Sequence, residues 1–246
     1  MVKDNASRTR HVHHVLEGAS LETMVSQAME ILAAAGVVYP EGYKNVLVAK
    51  YKQQGISYPR ILQRIGNPNI RKHFRYQEIL QQPGDLLDYG CGTGDDLRAL
   101  IHDGFPRDKI TGYDINTHSI DLGFDLYLDQ AIMNDLFIAS RNFPFSPGSF
   151  DIIYSGSVIH ALGDSKGIAK YITNAINVLR SQGIFFGSTL GHDEFHPGDP
   201  DHALTLLTQP KFHDMLIASG FVSIDIRPAE QEHDDHLRFW FYAEKV

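Results

Sequence analysis

From residue 85 onward the chain alternates short apolar runs with amphipathic stretches, the rhythm of βαβ units around a parallel sheet. The runs predict strands over 85–89, 110–114, 136–139, 150–155 and 183–189. The stretches between them predict helices over about 95–102, 117–128 and 166–180. A further helix is expected from Pro210 to Ser219, with proline tolerated in its first turn and Gly220 as its stop. Two more strands follow, 221–227 and 236–244, linked by an acidic turn at 230–235. That link holds no helix, so the two must pair antiparallel at the edge of the sheet.

Residues 1–84 follow a different pattern. Leu21, Met24, Val25, Ala28, Met29, Ile31 and Leu32 fall at helical spacing, with Ser20 placed to cap the start. Helical segments around 42–53 and 69–81 come next, punctuated by Gly55 and Pro59. This pattern predicts a helical cap over residues 1–82, acting as a substrate lid on an α/β domain at 83–246.

Composition narrows the class. Hydrophobic residues make up 43% of the 246 and charged residues 21%, which excludes a largely disordered chain. Cys91 is the one cysteine, so no internal disulfide can form and a reducing compartment is expected. With 22 Lys and Arg against 30 Asp and Glu, the net charge of −8 argues against a nucleic-acid partner. No apolar run approaches the roughly 18–20 residues needed to cross a bilayer, and the N-terminal residues do not read as a signal peptide. The expectation is a soluble, cytoplasmic protein, monomeric or homodimeric, acting on a small molecule.

The chemistry concentrates in residues 86–96, LeuLeuAspTyrGlyCysGlyThrGlyAspAsp. A strand runs into Gly90-x-Gly92-x-Gly94 and then into a helix, and glycines let a ligand approach the backbone closely. A dinucleotide-binding loop starts similarly but wants G-x-G-x-x-G. Here an acid, Asp88, precedes the first glycine, and Asp95 and Asp96 open the helix, where they would repel a pyrophosphate. A ligand with an ammonium and a sulfonium and no phosphate removes that objection. S-adenosylmethionine is such a ligand.

On these residues the chain resembles the class I S-adenosylmethionine-dependent methyltransferases over about residues 80–246. The resemblance rests on Asp88-x-Gly90-x-Gly92-x-Gly94, on IleThrGlyTyrAspIle at 110–115, on SerPheAspIleIleTyrSer at 149–155 with SerValIleHis at 157–160, and on AsnValLeuArgSerGlnGlyIlePhePhe at 177–186. It implies a Rossmann-like, doubly wound, seven-stranded mixed sheet and methyl transfer to a small molecule. It also implies a cofactor set of Asp88, Gly90, Cys91, Gly92, Gly94, Asp114, Ile115, Ser140 and Ser155, with Asp114 on the ribose hydroxyls. Many members carry an acid after the third strand that contacts adenine. This chain has IleAlaSerArgAsnPhePro at 138–144, leaving Ser140, Arg141 or Asn142 to substitute. The run 114–129 is similar to fungal natural-product-tailoring methyltransferases, which act on polyketide, meroterpenoid and similar scaffolds, and the expected acceptor is an oxygen, of a hydroxyl or a carboxylate, on a secondary metabolite. Methylation at nitrogen or carbon, or a non-catalytic S-adenosylmethionine-binding protein, are the alternatives.

Further residues are candidates for roles around that loop. Cys91 lies inside it with no base nearby, so its thiol reads as structural. His160 follows the fourth strand, where α/β sheets place reacting groups, and is the expected general base and a substrate contact. Tyr58, Tyr76 and His192 are the further substrate-contact candidates. His192, His196 and His202 share one segment, yet Pro197, Gly198 and Pro200 break any helix that would align them, so no metal is expected. His11, His13 and His14 read as part of a flexible tail.

Overall fold

The computed structural model describes residues 20–55, 59–82, 84–195, 204–229 and 237–246. The acidic turn 230–235, the tail histidines, His196, His202 and Tyr58 lie outside them.

Seven strands form one sheet in the order β3-β2-β1-β4-β5-β7-β6. They are β1 (Leu86–Tyr89), β2 (Ile110–Asp114), β3 (Phe137–Ala139), β4 (Phe150–Gly156), β5 (Leu179–Gly191), β6 (Phe221–Pro228) and β7 (Leu237–Lys245). β1 to β5 run parallel, and β7 pairs antiparallel with both β5 and β6. The order reverses between β1 and β4. Open α/β sheets bind their ligands at that switch point, outside the strands' C-terminal ends.

Two helical layers cover the sheet. One face packs α4 (Asp95–His102) and α5 (Thr117–Tyr127) through Leu97, Leu100, Ile120 and Phe124. The other packs α7 (Ser165–Val178) and α8 (Gln209–Ala218) through Ile168, Ile172, Phe212 and Leu216. Asp164 caps α7 by accepting the Gly167 N–H at 2.7 Å, and Thr208 caps α8 through Lys211 N at 3.3 Å. A one-turn helix, α6 (Gln130–Met133), leads into β3.

The N-terminal helices are α1 (Leu21–Ala34), α2 (Tyr43–Gln54) and α3 (Tyr76–Gln81). Ser20 caps α1 by accepting the Thr23 N–H at 3.2 Å, and Met24, Val25, Ala28 and Leu32 turn inward. That stripe meets Leu47, Tyr51 and Ile65, and closes on Leu122 and Leu126 of α5. The cap thus shares a core with the sheet's own helix.

The single helix expected over 69–81 is divided into a 3-10 turn, Ile70–Lys72, and α3. His73 is extended between them, with its Nε2–H donated to the Phe241 carbonyl at 3.0 Å and its Nδ1 accepting the Arg75 N–H at 3.2 Å. A buried ring that must satisfy both nitrogens overrides helix propensity here. β5 begins four residues before its expected start, because the turn at Ser181 and Gln182 is absorbed as an irregularity in pairing with β4. Among the described residues no helix is long and apolar enough to cross a membrane.

Candidate functional site

The loop after β1 is shaped by its glycines. Gly90, Gly92 and Gly94 have φ of +86°, +55° and +75°, a region that other residues enter only at a cost. A Cβ on Gly90 would stand 2.4 Å from Val158 Cγ2. Gly90 N–H and Cys91 N–H both donate to the Tyr113 carbonyl, at 2.7 and 3.0 Å. Asp114, at the end of β2, then holds the loop's far side. Its Oδ2 accepts the Gly92 N–H at 2.9 Å and its Oδ1 accepts the Asn116 N–H at 2.8 Å.

A second brace comes from α5 and Arg98. Gly123 lets α5 approach so closely that a Cβ there would lie 2.2 Å from the Thr93 carbonyl oxygen. Arg98 donates to that same carbonyl at 2.5 Å and forks onto Asp129 at 2.7 and 2.8 Å. The loop is therefore rigid and preformed.

Acids crowd this loop. Asp95 accepts the Tyr127 hydroxyl at 2.6 Å, the Thr93 hydroxyl and the Gly66 N–H at 3.3 Å. Asp96 accepts the Ile70 N–H at 2.9 Å and the Tyr154 hydroxyl at 3.0 Å. Asp88 is only 2% exposed, and its Oδ2 has no hydrogen-bond partner. Burial raises the pKa of all these carboxyls and of Asp114 above the usual range. Asp88 is raised furthest from its ordinary value by burial, then by the charges of Asp96, Asp114 and Asp95. A concentration of buried negative charge with an orphaned acceptor suits a cation that carries N–H donors. The ammonium and sulfonium of S-adenosylmethionine fit that description.

The remaining expected site residues divide into those at the cleft and those away from it. Cys91 is buried beside Gly90, and burial pushes its thiol up, with Asp88 and Asp114 adding to the effect. It cannot serve as a thiolate nucleophile. Ile115 follows Asp114 and is 67% exposed at the mouth of the loop. Ser140 joins β3 to this region, its N–H on the Asp114 carbonyl at 3.1 Å and its own carbonyl accepting the Tyr113 hydroxyl at 2.8 Å. His192 lies just past β5 and caps the next turn, its Nδ1 accepting the Glu194 N–H at 3.0 Å.

Three of the expected site residues have side chains engaged in hydrogen bonds within the fold. The Ser155 hydroxyl pairs with that of Tyr171 at 2.9 Å under α7, because strand alternation sends Tyr154 and not Ser155 toward the acids. Tyr76 is buried with its hydroxyl on Asp103 at 2.6 Å. Asp103 sits past the C-terminus of α4, roughly 12 Å of helix from the glycine loop.

His160 is the third. It is 3% exposed in a 3-10 turn, and its Nδ1 accepts the Leu190 N–H at 3.1 Å. The neutral ring then carries its proton on Nε2, and its only proton-accepting lone pair is engaged. A general base needs that lone pair for the substrate, and here the Leu190 N–H occupies it.

Sequence reasoning passes over four residues that matter here. Tyr154 and Asp96 are legible only as strand and helix positions. Asn69 is 7% exposed with no partner for its Nδ2. Arg238 is buried at the start of β7, opposite Leu190 of β5, and donates to the Ser157 hydroxyl at 2.7 Å. A cation therefore stands at the same end of the sheet as His160.

A family model described as a methyltransferase domain matches residues 60–239. Methyltransferase ausD of Penicillium brasilianum is 35% identical over 115 residues, which is 42% of this chain and 40% of that protein. The Asnovolin E/Chermesin D methyltransferase nvfJ of Aspergillus novofumigatus is 30% identical over 122 residues, 45% of this chain and 44% of that one. The matched stretch thus spans less than half the length of either relative. Among solved structures, the 1,6-didemethyltoxoflavin-N1-methyltransferase of Burkholderia thailandensis, with bound S-adenosylhomocysteine, superposes with a TM-score of 0.61 at 18% identity. That likeness covers 85% of this chain and 92% of the other, and at such identity it speaks for the fold.

Proposed function

We infer the reaction from what the chain is: it belongs to the methyltransferase-domain family, whose model spans residues 60–239. On that premise it is an enzyme that transfers a methyl group from S-adenosylmethionine to a small molecule. The fungal relatives, one of them named for two natural products, support a secondary metabolite as the acceptor.

The residues present fit the cofactor. Bound there, S-adenosylmethionine supplies a methyl group on a sulfonium that is already a good leaving group. Asp88 would face its ammonium with the unpartnered Oδ2, and Asp114 would take the ribose hydroxyls beside the Gly92 amide. Gly90, Gly92 and Gly94 keep Cβ atoms out of its way, and Ile115 presents an apolar side chain next to Asp114. Asp95 and Asp96 work at one remove, tying the cap at Gly66 and Ile70 to the loop so that water is kept from the cleft. The cap, described over residues 20–55 and 59–82, covers the substrate side on this reading, and His192 is a candidate there.

The acceptor is an oxygen, and a carboxylate suits the described residues better than a hydroxyl. One observation carries this: the His160 lone pair is engaged by Leu190 N–H, so the base expected from the sequence is not available. A hydroxyl has to lose a proton during the transfer. A carboxylate, with an ordinary pKa of about 4, is ionised near neutral pH and needs no base. What the protein must then contribute is position, with the oxygen held about 3 Å from the methyl carbon and in line.

The test uses S-adenosylmethionine labelled in its methyl group and a panel of ring-containing carboxylic acids with matched alcohols and amines. Label that mild alkali releases as methanol identifies a methyl ester and is the expected result. Alkali-stable label on an alcohol or amine would overturn the carboxylate reading. Binding of a nicotinamide cofactor without binding of S-adenosylmethionine would overturn methyl transfer itself.

A further inference from the structure

Two buried polar atoms among the described residues have no partner: Nδ2 of Asn69 and Oδ2 of Asp88. One is a donor and the other an acceptor, and leaving such atoms unmatched is costly enough that native structures rarely do it. They come from different parts of the chain, the cap and β1, yet a single neighbour relates them. Asp96 acts on Asp88 through its charge, and its Oδ1 accepts the N–H of Ile70, the residue after Asn69. Four residues earlier in sequence from Ile70, Gly66 is tied to Asp95 in the same way. The segment 66–70 is therefore pinned at both ends over the start of α4, with Asn69 inside the span.

The pairing of signs identifies the ligand group. An orphaned acceptor calls for a donor, and an orphaned donor calls for an acceptor. An α-amino acid zwitterion offers both on one carbon, an ammonium for Asp88 and a carboxylate for Asn69. An amide suits the carboxylate, because four acids already crowd the loop and a further anion is tolerated only where an N–H donor meets it. We propose that Asn69 is a cofactor-binding residue that donates its side-chain amide to the carboxylate of the methionyl end, so that cap and strand grip the amino-acid part from opposite sides. The proposal rests on the S-adenosylmethionine reading above. Its consequence is that the cap takes part in cofactor recognition and does more than cover the substrate.

The test compares three ligands by calorimetric titration of the full chain: S-adenosylhomocysteine, its decarboxylated analogue, and 5′-methylthioadenosine, which lacks the amino-acid part altogether. Wild-type protein should prefer S-adenosylhomocysteine over the decarboxylated analogue by about tenfold or more, the scale of a charge-assisted hydrogen bond. Asn69→Leu keeps the size and removes the donor. It should bring the two affinities within about twofold of each other while leaving 5′-methylthioadenosine unchanged, which also shows that the variant is folded. Asn69→Asp, which sets an anion against the carboxylate, should weaken S-adenosylhomocysteine further. Equal losses for all three ligands in Asn69→Leu, or no loss for any, would overturn the assignment. Wild-type protein that binds none of them would instead overturn the cofactor reading, and this inference with it.

Discussion

Asp125, on α5, and Asp88, on β1, are both carboxylates drawn into the fold, and the chain treats them in opposite ways. Asp125, on α5, accepts Lys50 Nζ and the Tyr51 hydroxyl, each at 2.5 Å. The two neighbouring carbonyls are taken as well, Asp125 O by the Tyr43 hydroxyl at 3.0 Å and Leu126 O by the Tyr39 hydroxyl at 2.5 Å. This is how the cap is fastened: apolar stripe below, satisfied polar groups at the rim. Asp88 has burial, like-charged neighbours and an oxygen with no donor. A folded chain resolves polar conflicts wherever stability is the only demand, and retains them where a ligand completes the arrangement. The contrast singles out Asp88 without reference to any relative.

The largest effect tests whether a buried titratable group outside the cleft behaves as a fully satisfied one. Both nitrogens of His73 are bonded, and burial is the main cause lowering its pKa from 6.5 to about 4. The unfolded chain binds a proton near pH 6.5 that the folded chain refuses until about pH 4. His73 therefore contributes stability fully above pH 6.5 and loses it as pH falls from there toward 4, about 3 kcal/mol in all. The cleft carboxyls, with raised values, pull the other way in the acid range, so a difference measurement is needed. Urea unfolding of wild type and His73→Gln at pH 7.5 and 4.5 supplies it. The wild type should lose more stability than the variant, and parallel losses would show that His73 is protonated in the folded state.

Next comes the acid that braces the loop. Asp114→Ala removes the acceptor of the Gly92 and Asn116 amides and, on the proposed reading, of the ribose hydroxyls. S-adenosylhomocysteine affinity should fall by about 1.5–3 kcal/mol, roughly ten- to hundredfold. Affinity unchanged within twofold in a titration would leave Asp114 as a cap of α5 and nothing more.

The comparison itself is tested by changing each acid to its amide. Asp88→Asn removes a charge that its surroundings oppose, so the ligand-free protein should gain about 1 kcal/mol, roughly 2–4 °C in Tm, while S-adenosylhomocysteine binds more weakly. Asp125→Asn should do the reverse, losing about 1 kcal/mol of stability, a modest figure because the Lys50 pair is partly open to solvent, with ligand affinity unchanged. A melting curve and a titration on each variant suffice. The same sign of Tm change in both would erase the distinction drawn between the two regions.

Much of this was legible in the sequence. Alternating apolar runs have a direct physical cause, since strands buried on both faces read as continuous hydrophobic segments, and all seven strands lie within a few residues of expectation. The glycine loop was equally legible, because positive φ at three alternate positions demands glycine. What the pattern of residues does not reveal is where single side chains point. Ser155 and Tyr154 are adjacent, and only the register of β4 decides which one meets the acids. Tyr76 is near β1 in sequence yet sits at the opposite end of α4. Asn69 gave no signal, since an unmatched amide is visible only when its surroundings are known.

The smallest effect is expected at His160, and it bears on the acceptor. Its Nδ1 accepts the Leu190 N–H at 3.1 Å, and its carbonyl accepts the Thr205 N–H at 2.9 Å, so the residue ties the end of β4 to β5 and to the segment before α8. Asparagine can place a carbonyl oxygen close to where Nδ1 stands and keep the Leu190 bond, whereas alanine would leave that buried amide without an acceptor. His160→Asn is therefore the informative change. If the ring is a positioning group, kcat should stay within about tenfold of wild type, whereas losing a general base costs about 100- to 10,000-fold. The pH profile separates the two further. A base with a histidine-like pKa gives a rate that rises through about pH 6.5, and the variant would lose that limb. With a carboxylate acceptor the rate should be level from about pH 6 to 8 in both proteins, because an acid of ordinary pKa is ionised throughout. A collapse of kcat in His160→Asn with S-adenosylhomocysteine affinity intact would restore the imidazole as base, and a hydroxyl acceptor with it.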